Sequence, residues 1–339
     1  MTTSRLLSLT PLSLAMVLCT GCPSGPDDGF VRAAPLPGVR GTICAPNGIN
    51  EVQRAQVSLY ADADEDGEPD NFNPLATSMT NFDGGYLLED IGGGTYVAEV
   101  RKGHRLFQFP VVSSGGIQQR LERQCFPGDS AAVAVISGGC DNPAGLLTSL
   151  GYTSQSLSSE ELGLLTNPAQ LAAWDIVIAP CGMPMDWLPQ AETVTETLGD
   201  WLDTGGSLYV SGDAWPLIET LDPDLLEWVG DDEDPTAANV GYGSTVEATV
   251  MDQELAGVLG GPAQIVLPES WSMIEQAGLE WNLLVMATVQ TTDGVFLQSS
   301  PLAVSRRGPQ RGTLTYSSFG NSGATPDMTL LLDHWLTEL

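Results

Sequence analysis

The chain has 339 residues, of which 43 are Asp or Glu and 12 are Lys or Arg, giving a formal net charge of -31 at pH 7. A field of that sign excludes a nucleic-acid binder, whose affinity rests on cationic contacts to phosphate. An apolar fraction of 42% excludes wholesale disorder, and the length predicts two domains.

Arg5 is the only charge before Asp27, and it precedes the apolar run Leu6 to Leu18. That run is shorter than the about 20 apolar residues of a membrane-spanning helix, so residues 1–22 read as a signal peptide. It ends in Leu18-Cys19-Thr20-Gly21-Cys22, which resembles the lipobox of bacterial lipoproteins, with Cys19 where an aliphatic residue is usual. The resemblance implies that Cys22 is lipidated and becomes the new N-terminus, so the membrane is a partner through a lipid anchor. Pro23 and Ser24 follow without the Asp that tends to retain such proteins at the inner membrane, which points to the outer membrane of a Gram-negative envelope. A secreted protein cut elsewhere is the alternative. Residues 23–37 form a Pro/Gly-rich tether.

Between residues 38 and 125, Gly41 to Cys44, Ala55 to Tyr60, Gly85 to Leu88, Thr95 to Val100 and Leu106 to Val112 carry apolar residues at period two, separated by turn residues. This predicts an all-β antiparallel sandwich. Gly38-Val39-Arg40-Gly41-Thr42, Ala55-Gln56-Val57-Ser58-Leu59, Thr80-Asn81-Phe82-Asp83-Gly84-Gly85-Tyr86 and Gly93-Gly94-Thr95-Tyr96 resemble the carboxypeptidase regulatory-like, or transthyretin-like, repeat. Such modules serve as spacers and binders and imply no activity.

The same region holds Asp62-Ala63-Asp64-Glu65-Asp66-Gly67-Glu68-Pro69-Asp70. Carboxylates at alternate positions followed by Gly let a loop curl around one hard cation, so Asp62, Asp64, Asp66, Glu68, Asp70 and Asn73 are candidate ligands of a structural Ca2+, with Glu68 contributing its carbonyl. The stretch resembles the calcium loops of dockerins and thrombospondin-type repeats. Asn73, where a bidentate Glu is usual, predicts weak binding.

Residues 131–339 change class. Ala132 to Ile136, Trp174 to Ala179 and Ser207 to Ser211 are continuous apolar strands, and Gln190 to Leu202 has helical spacing. Strands buried on both faces and alternating with helices predict a doubly wound α/β domain. Further strands are expected at Thr245 to Val250, Leu283 to Val289, Leu302 to Ser305 and Gly312 to Ser317, and a last helix from Pro326 to Leu339. The strand Val133 to Ser137 with its Gly-Gly turn, Asp175 to Pro180, Leu202 to Asp213 and Gly312 to Ser317 resemble the class I glutamine amidotransferase-like superfamily, including its trehalose-utilisation-type branch. That implies a flavodoxin-like strand order, a catalytic Cys at a strand-to-helix elbow and a His after a late strand. Here the elbow reads Ser211-Gly212-Asp213-Ala214 and the late position Ser318-Phe319-Gly320-Asn321. The chain's two histidines are His104, in the sandwich, and His334, in the last helix. The catalytic pair of the family is absent from this pattern, and no nucleotide cofactor is expected.

With Cys19 removed in the signal peptide and Cys22 set aside for the lipid, Cys44, Cys125, Cys140 and Cys181 form an even set that favours disulfides in an oxidising envelope. Cys44 and Cys125 bracket the sandwich; Cys140 and Cys181 meet if their strands are neighbours. A Cys181 nucleophile is the sharper alternative. Ligands of doubly wound sheets sit outside the carboxyl ends of the strands, so Asp141, Asp186, Trp187, Asp213 and Trp215 are candidates to line a site, with Trp187 and Trp215 near a surface. Asp213 has the plainer alternative of capping the following helix.

Residues 131–339 hold 28 acids against Arg306, Arg307 and Arg311, while Arg101, Lys102, Arg105, Arg120 and Arg123 cluster late in the sandwich. That basic edge is expected to dock on the acidic domain. The run Asp231-Asp232-Glu233-Asp234 reads as a solvated loop. Two functional classes follow: a non-catalytic, calcium-stabilised binding or scaffolding lipoprotein whose ligand is a carbohydrate or another envelope polymer, or a hydrolase of envelope glycans or peptides acting through carboxylates such as Asp141 and Asp213.

Overall fold

The period-two pattern of the first half builds two small sheets whose longer strands each bury side chains in a common core. In the computed structural model, residues 37–221, 223, 226–230, 234, 237–308 and 312–339 are described. The signal peptide, Cys22, nearly all of the tether and residues 231–233 lie outside them. The first sheet is β4 (Gly85–Glu89), β1 (Gly38–Cys44) and β7 (Gln118–Arg120), with β8 (Gln124–Cys125) also on β1. The second is β3 (Ala76–Met79), β2 (Gln56–Ala61), β5 (Gly93–Lys102) and β6 (Arg105–Ser114), antiparallel throughout. Val39, Ile43, Val57, Leu59, Leu88 and Val100 close a shared core.

The sandwich departs from the expected antiparallel pattern at one edge. β7 and β8 run parallel to β1, because the chain leaves β6 and returns to the other sheet beside its first strand. That return sets Cys44 opposite Cys125 in the register, and the two are disulfide-bonded.

The second half alternates strand and helix: β9 (Val133–Ile136), α1 (Pro143–Ser149), β10 (Gln155–Leu157), α2 (Pro168–Leu171), β11 (Ile176–Ala179), α3 (Ala191–Asp203), β12 (Ser207–Ser211) and α4 (Pro216–Leu221). There follow β13 (Leu226–Trp228), β14 (Ser244–Val250), α5 (Gln253–Leu259), β15 (Ala263–Leu267), β16 (Ile274–Ala277), β17 (Asn282–Gln290), β18 (Phe296–Arg307), β19 (Thr313–Ser317) and α6 (Pro326–Glu338). Apart from the β13–β16 pair, these strands form one sheet in the order β10-β9-β11-β12-β19-β18-β17-β14-β15. The first five are parallel, and the remaining pairings are antiparallel. The protein is thus mostly β with some helices, in sheets of mixed and antiparallel type.

The continuous apolar strands have their cause in burial on both sides. Val133 and Val135 enter one core with α1 and α6, whereas Ala134 and Ile136 enter another with α3 and α4. The first of these cores is continuous with that of the sandwich, and Leu36–Leu339 form one compact unit. Caps mark the helix starts: Asn142 accepts from the Gly145 N–H (2.9 Å) ahead of Pro143, and Thr325 from the Met328 N–H (3.1 Å) ahead of Pro326. Among the described residues no helix is long and apolar enough to cross a membrane.

Of the five basic residues expected to dock, two do. Lys102 Nζ reaches Glu338 at 2.8 Å, and the buried Arg105 guanidinium lies 4.2 Å over the Tyr152 ring. Arg101 and Arg123 instead pair inside the sandwich, with Glu99 and Glu51. Arg120 makes no ion pair among the described residues. Arg54, which carried no sequence signal, bonds Asp252 across the seam.

Candidate functional site

β9, β11, β12 and β19 all end at the same edge of the sheet, and the loops leaving them shape a cleft of about 480 Å³. After β12 the chain turns sharply at Gly212, whose φ of +56° is the left-handed region that favours glycine. Its carbonyl accepts from the Tyr316 hydroxyl (3.0 Å) and from Ser272 Oγ (3.2 Å), which fix the elbow. Beside it the Cys140–Cys181 disulfide joins the loops after β9 and β11, so both expected bridges form. The Gly139 and Cys140 N–H groups donate to the Cys181 carbonyl at 3.2 and 3.3 Å.

This bridge occupies the space an elbow side chain would need. A Cβ built on Gly212 would lie 2.9 Å from Cys181 Cβ and 3.1 Å from its Sγ. The neighbouring hydroxyl, Ser211, is fully buried; it donates to Asp141 Oδ2 (2.8 Å) and accepts from the Cys181 N–H (3.0 Å). Its work is to hold a carboxylate and a loop in place. Asp213 accepts from the Gly182 N–H at 2.6 Å, so it ties two loops together and does not cap its own turn.

Asn142 supplies the cap of α1, which leaves Asp141 to face the cleft. Its Oδ1 is buried without a hydrogen-bond partner, and Gly320 packs over the group with no room for a side chain. Burial raises the Asp141 pKa to about 6; the Ser211 hydrogen bond opposes the rise and the Asp213 charge adds to it. A carboxyl raised in the folded state favours folding below its ordinary pKa, and that contribution is lost as pH climbs through about 6. Asp333 on α6, raised to about 6 by burial, acts in the same direction. Asp141→Asn is therefore expected to stabilise the protein at pH 8 by about 2 kcal/mol, an advantage that fades toward pH 4. Urea unfolding at the two pH values measures it, and an equal effect at both would refute it.

Of the five residues expected here, the fold brings Asp141 and Asp213 to the cleft. Asp186 is exposed and does not line it. Trp187 and Trp215, expected near a surface, are 2% and 0% exposed. Both turn back into the core beneath α3 and α4, where Trp215 packs 4.8 Å from Trp228. The far wall comes from Asn239, Glu269, Ser270 and Trp271, in loops around the antiparallel extension of the sheet, and from Ser318 and Ser322 after β19. Neither imidazole lines the cleft. His104 lies 3.9 Å from Asp175, and His334 Nδ1 is 2.7 Å from Gln53 Nε2; burial, outweighing the pull of each ring's neighbouring carboxylates, lowers both pKa values.

The acidic loop gathers part of its expected set. Carboxylate oxygens of Asp62, Asp64 and Asp66 lie within 4.8 Å of one another. Asp62 is 1% exposed, and its two oxygens accept from the Asp66 and Gly67 N–H groups at 3.1 and 3.2 Å. Gly67, at φ +85°, makes the bend. The side-chain carboxylates of Glu68 and Asp70 lie outside this group; Asp70 Oδ2 accepts from the Ala63 N–H (2.9 Å), and the Asn73 N–H donates to Asn71 (2.9 Å).

No protein-family profile matches the chain, and no curated protein does. Solved structures do. PurLQS from Thermotoga maritima matches at 9% identity and a TM-score of 0.40, over 61% of this chain and 97% of its own. A 5-hydroxyisourate hydrolase from Klebsiella pneumoniae matches at 17% identity and a TM-score of 0.19, over 26% of this chain and 89% of its own. A type II cohesin–X-dockerin complex from Acetivibrio cellulolyticus matches at 14% identity and a TM-score of 0.19, over 26% of this chain; the chain spans about half, 52%, of that protein's length.

Proposed function

We propose that the protein is a lipid-anchored envelope protein that binds or scaffolds and performs no hydrolysis, its ligand held in the cleft beside the Gly212 elbow. One observation carries this reading: the direction in which an elbow nucleophile would project is filled by the Cys140–Cys181 bridge, while the space next to it stays open. The 2-1-3-4-5 order of the five parallel strands supports a flavodoxin-like, amidotransferase-like domain that has lost its chemistry. The sandwich is a carboxypeptidase regulatory-like module, and the pattern ending at Cys22 supports anchoring, at the outer membrane.

The ligand is a carbohydrate or a similar hydroxyl-rich envelope polymer. Asp141, Asp213 and Glu269 accept from hydroxyls, Asn239 both accepts and donates, and Trp271 supplies an apolar wall. Isothermal titration of the purified protein against a panel of envelope glycans tests this. Binding without turnover, weakened about tenfold in Glu269→Gln, is the expected result. The second reading, a carboxylate hydrolase, is favoured by Asp141, whose pKa near 6 beside Asp213 suits an acid and base pair. Product release that disappears in Asp141→Asn would establish it in place of the first.

Ca2+ is proposed as a structural ion of the loop 62–73, held by Asp62, Asp64 and Asp66. An ion that binds only the folded state stabilises it by about 2.7 kcal/mol at 100 times its Kd. Calorimetry with Ca2+ and with a chelator is expected to show that gain in the wild type and its loss in Asp64→Asn.

A further inference from the structure

The chain holds 12 cationic residues against 43 acids, yet four of the twelve line one pocket. Arg54, Arg101, Lys102 and Arg307 surround a space of about 540 Å³ at the seam between the sandwich and the strands β18 and β19, and among the described residues Glu338 is the only acid in its wall. The pocket lies on a different edge from the cleft, and nothing in the reading of that cleft bears on it.

Ion pairing across the seam accounts for part of this cluster. Arg54 meets Asp252 at 2.5 Å, Lys102 meets Glu338 at 2.8 Å, and Arg101 meets Glu99 at 3.5 Å. Three acids therefore face three cations. Arg307 is exposed and, among the described residues, forms no ion pair, so one positive charge stays uncompensated in a strongly negative molecule. A seam built only to dock would not gather a fourth like charge, because like charges repel at this range. Lys102 registers the crowding: burial first, then Arg54 and Arg307, push its pKa down against the pull of Glu338.

We propose that this pocket is an oxyanion-binding site that takes a carboxylate, sulfate or phosphate group between Arg101, Lys102 and Arg307. Two planar guanidinium forks match the paired oxygens of such groups, and the ammonium adds a point charge. The oxyanion comes either free from solution or as the acidic group of a glycan, for which the pocket has room.

The test uses the full protein and two probes, inorganic phosphate and a trigalacturonate oligosaccharide, titrated by calorimetry at low ionic strength and near physiological salt, where surface charge is screened within about 8 Å. Saturable binding of at least one probe is expected, weakened about tenfold or more in Arg307→Ala and in Arg101→Ala and partly restored in Arg307→Lys. Arg307 is exposed and Arg101 half-exposed, so both variants are expected to keep the wild-type melting temperature, and Arg40→Ala, on the sandwich surface, serves as the control with unchanged affinity. Phosphate binding alone assigns the free ion, and trigalacturonate binding alone assigns an acidic glycan. No saturable binding of either probe, or affinities that Arg307→Ala and Arg101→Ala leave within about twofold of the wild type, would overturn the proposal.

Discussion

Trp215→Ala is expected to cost about 3–5 kcal/mol of stability, with no selective loss at the cleft. Its ring is fully buried and packs 4.8 Å from Trp228, which meets Tyr316 edge-on at 5.0 Å. Removing the indole opens a cavity among rings that are themselves fixed, since Tyr316 bonds the Gly212 carbonyl and Trp228 Nε1 donates to Glu219 at 2.9 Å. The site cannot collapse to refill the void. The Trp215 indole Nε1–H is buried without a partner, so Trp215→Phe removes an unsatisfied donor along with part of the volume and is expected to cost well under half as much. Urea denaturation of the two variants decides the matter. A Trp215→Ala protein within about 1 kcal/mol of the wild type that had nonetheless lost its ligand would return this residue to the binding surface.

That tryptophan shows where sequence reasoning stops. The strands Val133 to Ile136, Ile176 to Ala179 and Ser207 to Ser211 were legible because burial on both faces of a parallel sheet leaves no solvent-facing positions, so the runs are mostly apolar. The two disulfides were legible for a related reason: cysteines that directly follow adjacent strands, or bracket a sandwich, have few other partners. The turn after β12 was also visible, but not the direction of the chain leaving it. Trp187 and Trp215 follow their strands closely, and nothing in their spacing says whether a ring swings outward over the cleft or back under the helices. The cleft's second wall was invisible for another reason. Asn239, Glu269 and Ser270 are ordinary loop residues, brought opposite Asp141 by the antiparallel extension of the sheet, and β13, β15 and β16 were not among the predicted strands. The seam was half legible, in that a basic edge facing an acidic domain could be counted, whereas the pairing of Lys102 with Glu338, 236 residues away, depends on where α6 ends.

Removing the Cys44–Cys125 bridge is expected to cost about 4 kcal/mol. The two residues are 81 apart in the chain, so the bond removes much of the unfolded chain's freedom, while Cys44, fully buried, leaves only a small void when cut to Ala. Cys140 and Cys181 are 41 apart. Because loop-closure entropy grows only with the logarithm of length, halving the loop changes the stabilisation by only about 0.6 kcal/mol. Stability alone therefore barely distinguishes the bridges, and their positions do. Cys44–Cys125 staples the edge of the sandwich, away from the cleft, and the double Ala variant is expected to keep the glycan affinity proposed for the cleft wherever it remains folded. Cys140–Cys181 forms the floor of the cleft and fills the space beside Gly212, so its double Ser variant is expected to lose affinity as well as stability. Denaturation and titration of both variants separate the two contributions. Equal affinities in both variants would mean that the bridge beside the elbow is a staple and no part of the binding surface.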